Sequence, residues 1–379
     1  MQPLLVALAF AAAFLLLAGL HYAFWTWRLR APPIEDTLVR APTRDGWDLA
    51  LGRRRPVGPP RGPPVLLVHG IGVNRQTYEF GLARWSLADH LARAGFDCFS
   101  LDHRGHGASR PGPGASRRWN LDTYVREDLP AALDAIRRET GAEQVLYVGH
   151  SQGGIVGLAA CELCPERIAA IVTLGVPAHY DVQERLRKLV TLRFTALGHL
   201  TRLAARMLAP FSGYWHPALF DLAIQLRNVE PRVYRRMLAN GIENLQPGVL
   251  SQFAAFIRED SFRSMDGAVD YRAGLEGCRQ PALFVAAEKD GLAPPAVVQA
   301  AYRRWGGPKE YVVVGQGFGH VDLLLGRTAP EVVYPLIERF LRTHSAVTGP
   351  AGATAADTGT DGRDAGPARA GAGTGADPQ

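Results

Sequence analysis

Cysteine is scarce in this chain, at four residues (Cys98, Cys161, Cys164 and Cys278) in 379. A chain of that length buries enough apolar surface to fold without disulfides, so a disulfide-built scaffold is excluded and no oxidising compartment is required. Cys161 and Cys164 are spaced C-x-x-C, but no second pair and no histidine cluster accompanies them. Without those a zinc ribbon or finger cannot form, and the thiols are expected as small buried apolar groups. No nucleic-acid-binding module and no internal repeat is present. The net charge of +6 is carried by scattered arginines, as in Arg53-Arg54-Arg55 and Arg137-Arg138, which points to composition or an anionic membrane surface and not to nucleic acid. Charge is also missing from Leu4 to Trp25, a run of 22 residues. That is enough to cross a hydrocarbon core of about 30 Å as a helix. No Lys or Arg precedes the run, and Tyr22, Trp25 and Trp27 stand where a signal peptidase would need small residues. An uncleaved single-pass anchor over residues 1–30 is therefore expected, with aromatic rings at the interface. Arg28, Arg30, Arg40 and Arg44 follow it, which by the positive-inside rule puts the remainder of the chain in the cytoplasm.

What is present is concentrated in one pentapeptide. Gly149-His150-Ser151-Gln152-Gly153 follows the apolar run Val145-Leu146-Tyr147-Val148 and precedes a helical stretch, Gly154 to Leu163. A serine on so tight a strand-to-helix turn is held in a strained conformation with its hydroxyl above the sheet edge. Flanking glycines are needed because any side chain there collides with the neighbouring strand or helix. The helix N-terminus faces the serine and favours negative charge developing beside it.

A serine hydroxyl needs a base, and the base needs an orienting acid. On a sheet of this kind the order along the chain is Ser, Asp, His. Pro281–Ala286 reads as a buried strand that runs into Glu288-Lys289-Asp290-Gly291, and Glu310–Val314 as another that runs into Gly315-Gln316-Gly317-Phe318-Gly319-His320. Ser151, Asp290 and His320 thus each follow a strand on the same edge. Glu288 rivals Asp290 as the acid; the Asp-Gly turn and Pro294-Pro295 favour Asp290. His150 is expected to point away from the reaction. The oxyanion hole is expected from backbone amides, which need no reorganisation. One is that of Gln152, the other that of Ile71 in His69-Gly70-Ile71-Gly72, after the strand Val65–Val68. Asp102-His103-Arg104-Gly105-His106-Gly107 reads as a structured turn near the site.

Elsewhere short apolar strands alternate with amphipathic helices. Strands are expected at Val65–Val68, Phe96–Leu101, Val145–Val148 and Ile168–Leu174, and helices at Tyr78–Ala94, Thr123–Glu139 and Gly154–Cys164. Thr37–Arg40 and Trp47–Arg54 are expected to form an antiparallel hairpin about Asp45-Gly46. The pattern predicts the α/β class, a mostly parallel sheet with helices on both faces. A core over 31–177 and 278–344 is interrupted at 178–277, where apolar residues recur at helical spacing in Leu186–Met207 and Leu219–Leu226. A mainly helical cap is expected there, with Phe211, Tyr214, Trp215, Phe220, Phe253, Phe256 and Phe262 lining an acyl pocket or forming the cap's own core. Residues 345–379 are nearly all Ala, Gly, Thr, Asp, Pro and Arg and are expected to be a disordered tail.

From Thr37 to Arg342 the chain resembles the α/β-hydrolase superfamily, and within it the acid-lipase and esterase branch. The residues that carry this are His69-Gly70-Ile71, Asp128-Leu129-Pro130-Ala131, Tyr147–Gly153, His320-Val321-Asp322-Leu323 and Ala329–Tyr334. The resemblance implies Ser151, Asp290 and His320 as a catalytic triad, carboxylic ester substrates with an apolar acyl part, and no cofactor or metal. Polyhydroxyalkanoate synthases carry cysteine, and haloalkane dehalogenases and epoxide hydrolases aspartate, where this chain has Ser151. The expectation is a membrane-anchored serine hydrolase acting on lipid-like or long-chain esters. Two alternatives are an acyltransferase using the same triad with an alcohol or thiol acceptor, and a non-catalytic membrane-tethered scaffold. Acyl length, alcohol part and oligomeric state are not legible.

Overall fold

The structure, a computed structural model, describes residues 2–180 and 198–345. Its framework is one sheet of nine strands. They are β1 (Thr37–Pro42), β2 (Trp47–Arg54), β3 (Val65–Val68), β4 (Cys98–Asp102), β5 (Arg110–Pro111), β6 (Val145–His150), β7 (Ile168–Leu174), β8 (Ala282–Ala287) and β9 (Lys309–Val314). The spatial order is β1-β2-β4-β3-β6-β7-β8-β9, with β5 beside β2. β1, β2 and β4 pair antiparallel, and every pair from β4 through β9 is parallel. The strands β3, β4, β6 and β8 are buried at every residue, which is why they read as unbroken apolar runs instead of alternating ones.

The longer helices are α1 (Gln2–Arg28), α2 (Leu87–Arg93), α3 (Leu129–Thr140), α4 (Gln152–Leu163), α5 (Thr201–Leu208), α6 (Pro247–Glu259), α7 (Pro295–Arg304) and α8 (Ala329–Ser345). Alternate residues along each strand serve opposite faces. Leu66, Val68, Tyr147 and Ile171 meet Leu133 and Ile136 of α3, Val156 of α4 and Val298 of α7. Their neighbours Val65, Leu67, Leu146, Val148 and Val172 meet Leu87 and Leu91 of α2 and Ile337 and Leu341 of α8. The mostly parallel sheet covered on both faces, read from the alternation of elements, is the architecture found, and β1 and β2 form the hairpin with Thr37 opposite Arg53.

Three expectations differ. The helix expected over Tyr78–Ala94 is only α2, preceded by single turns at Arg75–Tyr78 and Ala83–Trp85. Phe80 and Gly81 both take positive φ (44° and 59°), which breaks any helix between them. A fresh N-cap then starts α2, where Ser86 Oγ accepts from the Asp89 amide at 2.9 Å. The helix expected over Thr123–Glu139 begins at Leu121 and passes through one wide i→i+5 turn at Tyr124–Asp128 before α3. Between β7 and β8, the described residues hold only helical elements, but the expected helical run Leu186–Met207 is largely outside the described residues and Leu219–Leu226 contains one turn, Ala218–Leu222. Phe256 of α6, Phe262 and Tyr271 are buried in the same cluster as α3 and α4, so this part of the insertion packs as core of the sheet layer. The expected tail, past Ser345, also lies outside the described residues.

α4 packs backbone to backbone against β3 at Gly153. A Cβ on Gly153 would lie 2.0 Å from the Val68 carbonyl oxygen, so alanine there must push the helix off the central strands. At Gly141, which ends α3 with φ 76°, an added Cβ meets nothing within 4 Å. Gly153→Ala should therefore cost about 3 kcal/mol or more by overpacking, and Gly141→Ala only about 1–2 kcal/mol for the left-handed backbone. Thermal unfolding of the two variants in detergent should rank them in that order, and equal losses would mean that α4 can shift.

Candidate active site

Ser151 sits between β6 and α4 with φ 52° and ψ −121°. This is a region that side-chain-bearing residues rarely adopt, and it persists only where the surroundings hold it. The hold is visible: the Ser151 amide donates to the Leu174 carbonyl of β7 at 2.9 Å, and the Ser151 carbonyl accepts from Gly154 (2.9 Å) and Ile155 (3.1 Å) in the first turn of α4.

The residue after Leu174 brings the other two groups to the same place. Gly175 has φ 61°, and a Cβ on it would lie 2.9 Å from His320 Nδ1 and 3.1 Å from Asp290 Oδ2. The three residues singled out in the sequence thus converge on the Leu174-Gly175 turn. His320 Nδ1 donates to Asp290 Oδ2 at 2.7 Å, and both side chains are buried. The other carboxylate oxygen, Oδ1, accepts from the amides of Leu292 (2.8 Å) and Ala293 (2.7 Å). Asp290 is thereby fixed and charge-satisfied, and it commits the imidazole proton to Nδ1, leaving the Nε2 lone pair free to accept. No hydrogen bond joins His320 Nε2 to Ser151 Oγ among the described residues. In unliganded sites such contacts are commonly long and close only around substrate. Glu288, the rival acid, is turned elsewhere. It is exposed, and its Oε2 accepts from the Gly317 amide at 2.8 Å.

The two amides expected to hold an oxyanion are available. Among the described residues, no acceptor takes the N–H of Gln152, at the first turn of α4, or of Ile71 in the turn after β3. The Gln152 side chain is buried, and its carboxamide has no partner among the described residues.

His150 does not simply point away. Its Nε2 donates to the His320 carbonyl at 3.1 Å, and the two rings lie 4.8 Å apart. Burial, with the neighbouring His320, pushes His150 down to about 3, so it stays neutral and keeps that proton. It is a positioning group for the His320 loop. A second one is Asp322, which is fully buried. Its Oδ2 accepts from the Gly319 amide at 2.9 Å and its Oδ1 from Gln225 of the insertion at 3.3 Å. The turn Asp102–Gly107 is structured by ions. Asp102 takes Arg75 and the Ala108 amide (2.8 Å), and buried Arg104 is held between Asp128 and Asp45. The thiols have no disulfide partner among the described residues. Burial raises them, Cys164 to about 11 and Cys278 to about 12.

With this geometry established, the comparisons are specific. A family model described as the α/β hydrolase fold matches residues 63–326. The chain belongs to the α/β-hydrolase fold family. It is 37% identical over 157 residues to the human lysosomal acid lipase/cholesteryl ester hydrolase, covering 38% of this chain and 39% of that protein. It is 30% identical over 214 residues to human lipase member K, covering 52% of this chain and 51% of the relative. The chain thus spans about half or less of the length of the curated relatives it matches. The carboxylesterase CesB of Bacillus subtilis has the same fold, with a TM-score of 0.56 at 19% identity over 86% of this chain and 97% of that one. The hydrolase fold and its likeness to lipases agree with the branch read from the motifs.

Asp322 yields a pH prediction. Burial, with Asp290 nearby, raises it from 3.8 to about 6, so the folded hydrolase keeps its proton across a range where the unfolded chain has lost it. The folded state binds more protons there, and stability falls as pH rises from about 4 to about 6. At about 1.4 kcal/mol per pKa unit the loss is about 3 kcal/mol. Asp322→Asn escapes it, so urea unfolding in detergent should show the variant gaining on the wild type across that window. A difference independent of pH would remove the buried-acid account.

Proposed function

We propose that this hydrolase is a membrane-anchored serine enzyme that cleaves carboxylic esters, lipid-like or long-chain ones, by a two-step acyl transfer. The observation that carries the proposal is the convergence of Ser151 and the Asp290–His320 pair on one turn, beside two unpaired amides. His320 Nε2 takes the proton of Ser151 as the hydroxyl attacks the ester carbonyl. The amides of Ile71 and Gln152 and the N-terminus of α4 stabilise the oxyanion. His320 then protonates the leaving alcohol and activates water to release the acid, while Asp290 holds the imidazole and stabilises its cation. No step calls for a cofactor.

The substrate class rests on the similarity to proteins named as lipases and on the N-terminus. α1 is 27 residues long and uncharged from Leu4 to Trp25, with no residue fully buried, which makes it long and apolar enough to cross a membrane. As a retained anchor it places the enzyme where esters with apolar acyl chains partition. Arg28, Arg30, Arg40 and Arg44 support, by the positive-inside rule, a catalytic portion on the cytoplasmic side.

Hydrolysis of p-nitrophenyl esters from acetyl to palmitoyl, by the full chain in detergent micelles, tests this reading. Ser151→Ala is expected to lower kcat/KM by about 10⁴-fold or more, and the wild type to prefer long acyl chains. Activity surviving in Ser151→Ala would remove the nucleophile, and a preference for acetyl would remove the lipid-like substrate.

A further inference from the structure

The insertion between β7 and β8 presents a group of large apolar residues that stay exposed among the described residues. Leu200, Leu203 and Leu208 in and beside α5 are about half exposed. Phe211, Tyr214 and Trp215 follow at 66%, 78% and 70% exposure. Soluble proteins scatter single apolar residues over their surface, but a contiguous group with this many aromatics marks an interaction site.

The same stretch is where α1 docks. The His21 ring stacks on Phe211 at 5.6 Å with the planes 9° apart, and His21 Nε2 donates to the Met207 carbonyl at 3.0 Å. Arg206 Nη1 donates to Tyr22 Oη at 2.9 Å, and Asn240 Nδ2 to the Leu29 carbonyl at 3.0 Å. These contacts fix a depth. His21 and Tyr22 belong to the uncharged run Leu4–Trp25. A helix of 27 residues is about 40 Å long, and the hydrocarbon is about 30 Å thick, so its last turns, with Tyr22, Trp25 and Trp27, fall at headgroup level. Phe211, stacked on His21, is held at that level too.

We propose that residues 198–215 form a second membrane contact, with α5 lying in the plane of the interface and Phe211, Tyr214 and Trp215 entering it beside the end of α1. This rests on reading α1 as a membrane anchor. The composition fits an interfacial helix: leucines on the exposed face and arginines at the border, at Arg202, Arg206 and, over the Tyr214 ring at 4.8 Å, Arg235. Arginines at headgroup depth match anionic phosphate groups. The insertion also touches the loop that carries Asp290. A few residues after Trp215, the Leu222 carbonyl accepts from the Gly291 amide at 2.9 Å, next to Asp290.

The test uses the full chain in vesicles of phosphatidylcholine and phosphatidylglycerol. An environment-sensitive fluorophore is placed in turn at Phe14→Cys, Leu203→Cys, Tyr214→Cys and Glu143→Cys, and the unsubstituted chain sets the background from native thiols. Glu143 precedes β6 and so lies at the opposite end of the strands from Ser151. Lipids brominated high on the acyl chain, and for Phe14 near the chain end, are then introduced. We expect loss of emission at Phe14, Leu203 and Tyr214 and none at Glu143. Loss at Phe14 alone overturns the second contact and leaves the anchor standing. No loss at Phe14 overturns the anchor and this inference with it. Blue-shifted but unquenched emission at Leu203 and Tyr214 means that protein, such as a second copy of the chain, covers the face, and also overturns the inference.

Discussion

The hydrogen bond from the Ser151 amide to the Leu174 carbonyl is the contact on which the site depends. It ties the strained turn at the end of β6 to the end of β7, and β7 in turn leads into Gly175, against which His320 and Asp290 pack. A residue at φ 52°, ψ −121° costs of order 1–3 kcal/mol and relaxes unless several contacts oppose it. Here they do. Tyr147 Oη donates to the Gly153 carbonyl at 2.6 Å, the first turn of α4 closes onto the Ser151 carbonyl, and α4 lies so close to β3 that Gly153 has no room for a Cβ. Strain at the serine is thus maintained by the packing of the central strands, which is the most buried part of the molecule.

The turn after β4 is held in a different way, with charge instead of apolar packing. Asp102, Arg75 and Glu35 form one buried chain, and buried Arg104 and Asp128 with half-buried Asp45 another. Such pairs add little net stability, because desolvation offsets most of the attraction, but losing one member strands a buried charge. Their consequence here is geometric. They tie the segment after α1, the β1–β2 hairpin and the start of α3 to a loop whose histidines, His103 and His106, lie 5.2 and 5.0 Å from the His69 ring beside the Ile71 turn. Burial holds His69 well below the usual imidazole range and lowers His106, so neither adds charge next to that turn near neutral pH.

What was legible in the sequence is what local pattern encodes. A buried parallel strand reads as an apolar run, and the glycine-rich break that follows it is where a side chain emerges at the sheet edge; Ser151, Asp290 and His320 each follow such a break. The choice of Asp290 over Glu288 followed from turn chemistry, and the structure puts Asp290 on the imidazole. What was not legible depends on segments meeting across the fold. Nothing local says that His150 will donate to the His320 carbonyl, since that bond spans 170 positions. Apolar periodicity likewise says that Phe256 and Phe262 are buried but not against what, and they joined the sheet layer. Tyr78–Ala94 has a helical pattern, and two successive positive φ values at Phe80 and Gly81 override it.

Leu222 and Gln225 join the insertion to the loops that carry Asp290 and His320. The insertion touches the acid loop through the Leu222 carbonyl on Gly291, and the histidine loop through Gln225, whose amide donates to the same carboxyl that receives Gly319. Asn228 adds a bond to the Gly317 carbonyl at 2.6 Å. Residues 222–228 therefore brace the loops of Asp290 and His320 from the outer side, as Gly175 and His150 do from the sheet side. Any movement that opens the insertion away from the sheet must break these bonds, and it then loosens the placement of Asp290 against His320. An arrangement of this kind leaves the exposed end of the insertion, near Trp215, free of such ties and holds its base rigid next to Gly291.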